Sequence, residues 1–304
     1  MITVLSGGTG TPKLIQGLAK IVAEEDLAVV VNTAEDHWLT HGYFSPDVDT
    51  VVYTLAGIID DTTWHGIKRD TYHTHETLKR VGSTVYLKIG DRDRALHIWR
   101  GEKMKAGASL SQVTREHCRV LGVKAEVIPM SDDMVETVIK TEEGEMDLHE
   151  FWVKKRGEPE VEGVRFEGLQ KAKACAEAVD AIEEAQRVVI GPSNPITSVY
   201  PIISLRGIKE ALKRNRKKVI GVSPLIGGSA FSGPAEKLMR AFGVEVSGRG
   251  VASFYNEVLS YFVVDSSENV GGLQGNVNIL KTDILMDNLE KRKALAEFIL
   301  GVKI

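Results

Sequence analysis

The chain has 304 residues, a mass of 33.3 kDa, 43% apolar residues and a net charge of −4 with a pI near 6.1. That length suits one large α/β domain or two smaller ones, and the acidic balance excludes a global basic field for nucleic acid. No run approaches eighteen apolar residues and the first residues are strand-like, which argues against a membrane span or secretory signal and for a cytoplasmic protein. Two isolated cysteines, Cys118 and Cys175, form no CxxC and read as ordinary thiols in a reducing compartment.

ITVLS (2–6) reads as a short apolar strand running straight into glycines, and a helical pattern starts at Pro12, where proline costs no hydrogen bond. LAVVV (27–31) is a β-branched buried strand ending in Asn32. The polar segment 32–50 exceeds an ordinary βα turn and so marks a functional or mobile loop. Helical patterns follow at 49–58, 71–81, 91–100 and 109–121, with strands at 85–89 (VYLKI) and 125–129 (AEVIP). From about 130 to 170 the texture turns to three strands around a Glu-Gly turn, a β-rich insertion within a single domain spanning 1–304. The alternation then resumes: a helix at 170–185, strand into polar turn at 187–195, a helix at 206–214 and strand into glycine loop at 217–228. Helices at 234–242 and 251–259, the strand YFVVD (261–265) and a helix at 287–299 complete the reading. Strands separated by helices predict a mostly parallel sheet with helices on both faces. Ligands of such sheets bind beyond the carboxyl ends of strands, near the switch in strand order. The turns SGGTGTPK, IGPSNP and VSPLIGG should therefore share one rim and build one composite site.

SGGTGTPK contributes Gly7, Gly8, Thr9, Gly10, Thr11 and Lys13, and it opens a helix, so its amides and the helix dipole suit an anion. A tight βα turn without a ligand is the plainer alternative. The stretch lacks GxxxxGK[ST] and gives GxGxxK in place of GxGxxG, while the second strand ends in Asn32 rather than an acidic residue. NAD is therefore disfavoured. Asp47 and Asp49 have the i, i+2 spacing of oxygen ligands for a hard cation, although Ser45 or Asp47 could equally cap the next helix. Beside a phosphate loop, Mg²⁺ bridging carboxylate and phosphate is the preferred reading. Glu35 and Asp36 either extend that cluster or are solvated loop charges. Lys88 stands at a predicted strand end, to bind an anion or an acidic hydroxyl or to pair with Asp91 and Asp93.

In IGPSNPITS, Ser193, Asn194, Thr197 and Ser198 offer groups for a base, ribose or phosphate. Gly227, Gly228, Ser229, Ser232 and Gly233 offer a second edge. The histidines form no zinc set: His73 and His75 are i, i+2, and His37 and His41 lie on a loop without cysteine partners. They read as surface or structural residues. No GxSxG elbow or Cys/His pairing supports nucleophilic hydrolysis.

Taken in order, SGGTGTPKL (6–14), VNTAEDHW (31–38), SPDVDT (45–50), LKIGDRD (87–93), PMSDD (129–133), KRGEP (155–159), IGPSNPITS (190–198) and SPLIGG (223–228) closely resemble the 2-phospho-L-lactate transferase (CofD) family of coenzyme F-420 biosynthesis. The resemblance runs from residue 2 to about 260. It implies a Rossmann-like α/β fold, usually a homodimer, that moves a phospholactyl group from lactyl-2-diphospho-5′-guanosine to the 8-hydroxy-5-deazaflavin Fo. The products are the glutamate-free coenzyme and GMP, and Mg²⁺ is required. On this resemblance Asp49 and Lys88 contact Fo, Asp49 also takes part in metal binding and catalysis, and the guanosine diphosphate lies along the two polar turns. A rival is a nucleotide-sugar-binding regulatory protein of the gluconeogenesis-factor branch, which shares the glycine loop and need not catalyse.

Overall fold

The computed structural model describes residues 1–40, 42–227, 229–230, 234–268 and 277–303. The chain opens with β1 (Ile2–Ser6), turns through Gly7–Thr9 and enters α1 (Gly10–Leu18). β2 (Leu27–Val31) follows, then a small hairpin of β3 (His37–Leu39) and β4 (Gly42–Phe44), then α2 (Pro46–Leu55). Three helices, α3 (His73–Arg80), α4 (Asp91–Lys105) and α5 (Leu110–Leu121), lead to β5 (Glu126–Pro129). β6 (Glu136–Thr141), β7 (Gly144–Asp147) and β8 (Val161–Glu167) form a separate antiparallel sheet in the order β7-β6-β8. α6 (Ala176–Glu184), β9 (Arg187–Ile190), α7 (Tyr200–Ser204), α8 (Arg206–Arg214) and β10 (Val219–Val222) come next. The short pair β11 (Leu225–Ile226) and β12 (Ser229–Ala230), α9 (Ala235–Ala241), α10 (Gly248–Phe254), β13 (Tyr261–Asp265), β14 (Asn278–Thr282) and α11 (Leu289–Gly301) close the chain.

Among the described residues, seven strands form one parallel sheet in the order β14-β13-β10-β9-β1-β2-β5. Every residue of β2 and of β9 is buried, as expected for strands covered on both faces. Two hydrophobic clusters flank the sheet: one gathers Leu14, Val51 and Leu295, the other Ile182, Ile208 and Tyr255. This is the Rossmann-like arrangement. From β1 the chain runs outward through β2 to β5 and then returns to β9 on the other side of β1, so strand order reverses between β1 and β9. The crevice for a ligand belongs at that reversal. No described helix is long and apolar enough to cross a membrane.

Several local expectations are corrected. VYLKI (85–89) is not a strand: among the described residues it pairs with no strand, and Tyr86, Leu87, Lys88 and Ile89 line a cavity instead. α2 begins at Pro46 rather than near Asp49, because proline takes the first helical turn. The long polar segment after β2 contains the β3–β4 hairpin, and β14 extends the sheet beyond YFVVD. Gly228, Ser232, Gly233, His41 and the side chain of Ser229 lie outside the described residues.

Candidate active site

The turns after β1 and β9 are locked to each other. The Gly7 amide donates to Ser193 Oγ at 3.1 Å, and the Thr11 and Ser193 hydroxyls bond at 2.7 Å. A Cβ on Gly10 would stand 1.9 Å from the Pro192 carbonyl oxygen, and one on Gly8 would stand 2.2 Å from Asp47 Oδ1. These two glycines are therefore needed for close approach: one joins the two turns, the other seats α2 on the glycine turn. Asn194 Oδ1 accepts from the amides of Ile196 (3.0 Å) and Thr197 (3.4 Å), capping the helical turn Pro195–Val199.

Above this lock lies a cavity of about 550 Å³. Gly8, Thr9, Gly10, Ser193, Asn194, Thr197 and Ser198 line it from the two turns, together with Glu35, Asp47, Asp49, Asp93 and His97. Of the residues expected at a nucleotide, Gly7 and Thr11 spend their groups on the lock and do not line the cavity. Nor does Lys13, whose ammonium lies 5.3 Å from the ring centroid of Trp64. Burial and nearby Arg292 lower the Lys13 pKa. Lys88 is exposed at the cavity's edge, with its ammonium 4.3 Å from the Tyr72 ring centroid. Asp91 is engaged instead by Thr71 and the amides of His73 and Thr74, and Asp93 by Tyr53.

Asp47 and Asp49 share a helix, and residues two apart on a helix point away from each other. Asp47 takes a 2.9 Å bond from the Asn32 amide. Burial pushes its carboxyl up to about 7, against that hydrogen bond. Asp49 is gripped by both terminal nitrogens of Arg100, one at 3.1 Å, and by His97 Nε2 at 3.1 Å. Burial alone would raise its pKa, but the Arg100 charge and the His97 contact hold it below the usual carboxylate range. His97 Nε2 also meets Asp93 Oδ1 at 3.1 Å. Against burial, its bonds to Asp49 and Asp93 raise the imidazole to about 9. Asp49 Oδ1 also has His117 Nδ1 at 4.0 Å.

Glu35 and Asp36 are not solvated loop charges. Asp36 is buried and accepts the Ser45 hydroxyl at 2.6 Å, which is why Ser45, although at the N-cap position of α2, makes no side-chain cap. Burial holds the Asp36 carboxyl well above its ordinary range. Glu35 is raised likewise by burial and the neighbouring Asp47 charge, while the Thr197 hydroxyl opposes the shift. Asp36 and Asp47 thus have neutral hydrogen-bond donors, and among the described residues Asp36 Oδ1 is buried with no hydrogen-bond partner.

These surroundings decide where a cation fits. Asp49, Asp93 and His97 bring ligand atoms within 4.8 Å of one another, but Arg100 and the imidazole already balance that group. On the Glu35–Asp47 side the carboxylates line the cavity and, among the described residues, form no ion pair, and that donor set fits a hard divalent ion. Arg100 and His97 were not legible as site residues, because only the tertiary fold brings their side chains on α4 to Asp49 on α2. The two cysteines are buried, with thiols pushed up to about 12 by burial, and neither lines the cavity.

A model of the 2-phospho-L-lactate transferase CofD family matches residues 2–295. The 2-phospho-L-lactate transferase of Methanocaldococcus jannaschii is 50% identical over 99% of this chain and 97% of its own length. That of Methanosarcina mazei is 48% identical over 97% of this chain and 98% of its own. The crystal structure of a UPF0052 family member from Bacillus halodurans superposes with a TM-score of 0.63 over 99% of this chain and 98% of that one; at 18% identity it attests the fold. With a family match across nearly the whole chain and relatives close to half identical, the chain belongs to the 2-phospho-L-lactate transferase CofD family and is a transferase.

Proposed function

We propose that this chain transfers the phospholactyl group of lactyl-2-diphospho-5′-guanosine to Fo. The observation that carries the reading is the convergence, in one cavity at the strand-order reversal, of the glycine turn, the 193–198 turn, Asp47 and Lys88. The ribityl hydroxyl of Fo attacks the phosphorus that bears lactate, and the bond from that phosphorus to the bridging oxygen breaks. GMP leaves with that oxygen, and the hydroxyl proton passes to solvent or a nearby base. Such a displacement needs positioning and charge neutralisation rather than an enzyme nucleophile, consistent with the buried thiols.

Thr9 and Gly10, at the start of α1, line the cavity, and their amides bind the diphosphate. Ser198, on the opposing turn, adds a hydroxyl. Asp47 and Glu35 are the pair assigned to Mg²⁺, which when bound neutralises diphosphate charge. Asp49, anchored by Arg100 and His97, lines the cavity as a fixed hydrogen-bond acceptor and orients the acceptor hydroxyl. Lys88 closes the acceptor end. Incubation with Fo, donor and Mg²⁺ followed by mass spectrometry should yield the phosphodiester product and GMP in equal amounts. Absence of both from active, folded protein refutes the assignment.

A further inference from the structure

KRGEP (155–159) has no part in the site so far, and neither does the segment before it. After β7 the backbone makes a π-helical turn, Glu150–Lys154, a geometry often found at functional sites. This turn places Leu148, Trp152 and Val153 on the cavity wall. Trp152 remains 43% exposed, yet it is firmly seated. Gly157 has φ +65°, and a Cβ there would lie 2.9 Å from two atoms of the Trp152 ring. Arg156 before it also has φ +57°, uncommon for a non-glycine residue. The Gly157 amide closes the turn onto the Phe151 carbonyl at 2.8 Å. Lys237 on α9 donates to the carbonyls of Gly157 (3.1 Å), Glu158 (3.0 Å) and Pro159 (3.0 Å). The strained turn and its lysine clamp thus hold an indole against backbone while it lines the cavity.

Tyr86 lines the same cavity, two residues before Lys88, and the Lys154 ammonium lies 5.9 Å from its ring centroid. Trp152, Tyr86 and Lys88 thus line the same cavity as the diphosphate turns. Resting on the transferase reading above, we propose that Trp152 is the stacking platform for the planar ring of the deazaflavin acceptor, with Tyr86 beside it, so that the KRGEP turn sets acceptor specificity. A flat, amphipathic tricycle gains most from a rigid aromatic face with one edge left wet.

The test is a fluorescence titration of Fo into the GDP-bound protein, for the wild type, Trp152→Ala and Trp152→Phe, with GDP affinity measured in parallel. Trp152→Ala should weaken Fo about tenfold or more, Trp152→Phe should stay within about threefold of wild type, and GDP affinity should change less than twofold. Thermal melts that match wild type exclude unfolding as the cause. Fo affinity unchanged in Trp152→Ala, or a loss that falls on GDP, overturns the platform while leaving the transferase reading intact. Failure of the wild type to bind Fo overturns the acceptor reading and the platform with it.

Discussion

Asp47 and Asp49 stand two residues apart at the start of α2 and line the same cavity, yet one is held by a neutral amide and the other by a guanidinium and an imidazole. The difference follows from helical geometry, since two residues are about 200° of rotation. One carboxylate is turned to the glycine turn and the end of β2, the other to α4. A buried carboxylate paired with a buried cation is a structural commitment, because removing either partner strands the other. A buried carboxylate with neutral donors retains capacity for a ligand. On this account Asp47 is the residue of function and Asp49 largely the residue of architecture, although both belong to one SPDVDT motif.

The sharpest way to break that contrast is to remove the charge at Asp49. Asp49→Asn leaves Arg100 buried without its counterion and His97 with Asp93 alone, and should cost about 3–5 kcal/mol in urea denaturation, as should Arg100→Met. A loss under about 1 kcal/mol in both would show that the pair is not structural. Asp47→Asn should instead keep stability within about 0.5 kcal/mol, since an amide can accept from Asn32 much as the carboxylate does. Its turnover should fall about hundredfold, roughly 2.7 kcal/mol, in a steady-state assay. Gly10→Ala drives a Cβ into the Pro192 carbonyl and should destabilise by about 1–3 kcal/mol while lowering donor affinity, which GDP titration would read. The smallest effect is expected from Lys88→Met, since the ammonium is exposed: KM for Fo up about fivefold, about 1 kcal/mol, with donor KM unchanged.

Much of the frame was legible in advance. β-branched runs such as LAVVV announced the central strands, and three turns read as one rim do follow the adjacent strands β1, β9 and β10. Where the structure departs from or adds to that reading, the cause is physical. VYLKI has strand composition, but no neighbouring strand is available to it, and pairing outranks propensity. The glycines of SGGTGTPK read as a ligand cradle; Gly8 and Gly10 do line the cavity, and they also make close contacts within the protein that the sequence did not announce. The i, i+2 aspartates, read as ligands of a hard cation, stand on the helix that Pro46 begins and so point apart. Arg100, His97 and Trp152 had no local signal, because their roles depend on packing between segments distant in sequence.

The account rests most directly on where the cation binds, and Mn²⁺ can stand in for Mg²⁺ as a spectroscopic probe. Electron paramagnetic resonance titration of Mn²⁺ into wild type, Asp47→Asn and Asp49→Asn, each with GDP and at a temperature where all are folded, compares the two carboxylates in one experiment. The prediction is a loss of Mn²⁺ affinity of about tenfold or more in Asp47→Asn and less than threefold in Asp49→Asn. Retention in Asp47→Asn with loss in Asp49→Asn would contradict it and return the metal to the arginine-paired carboxylate.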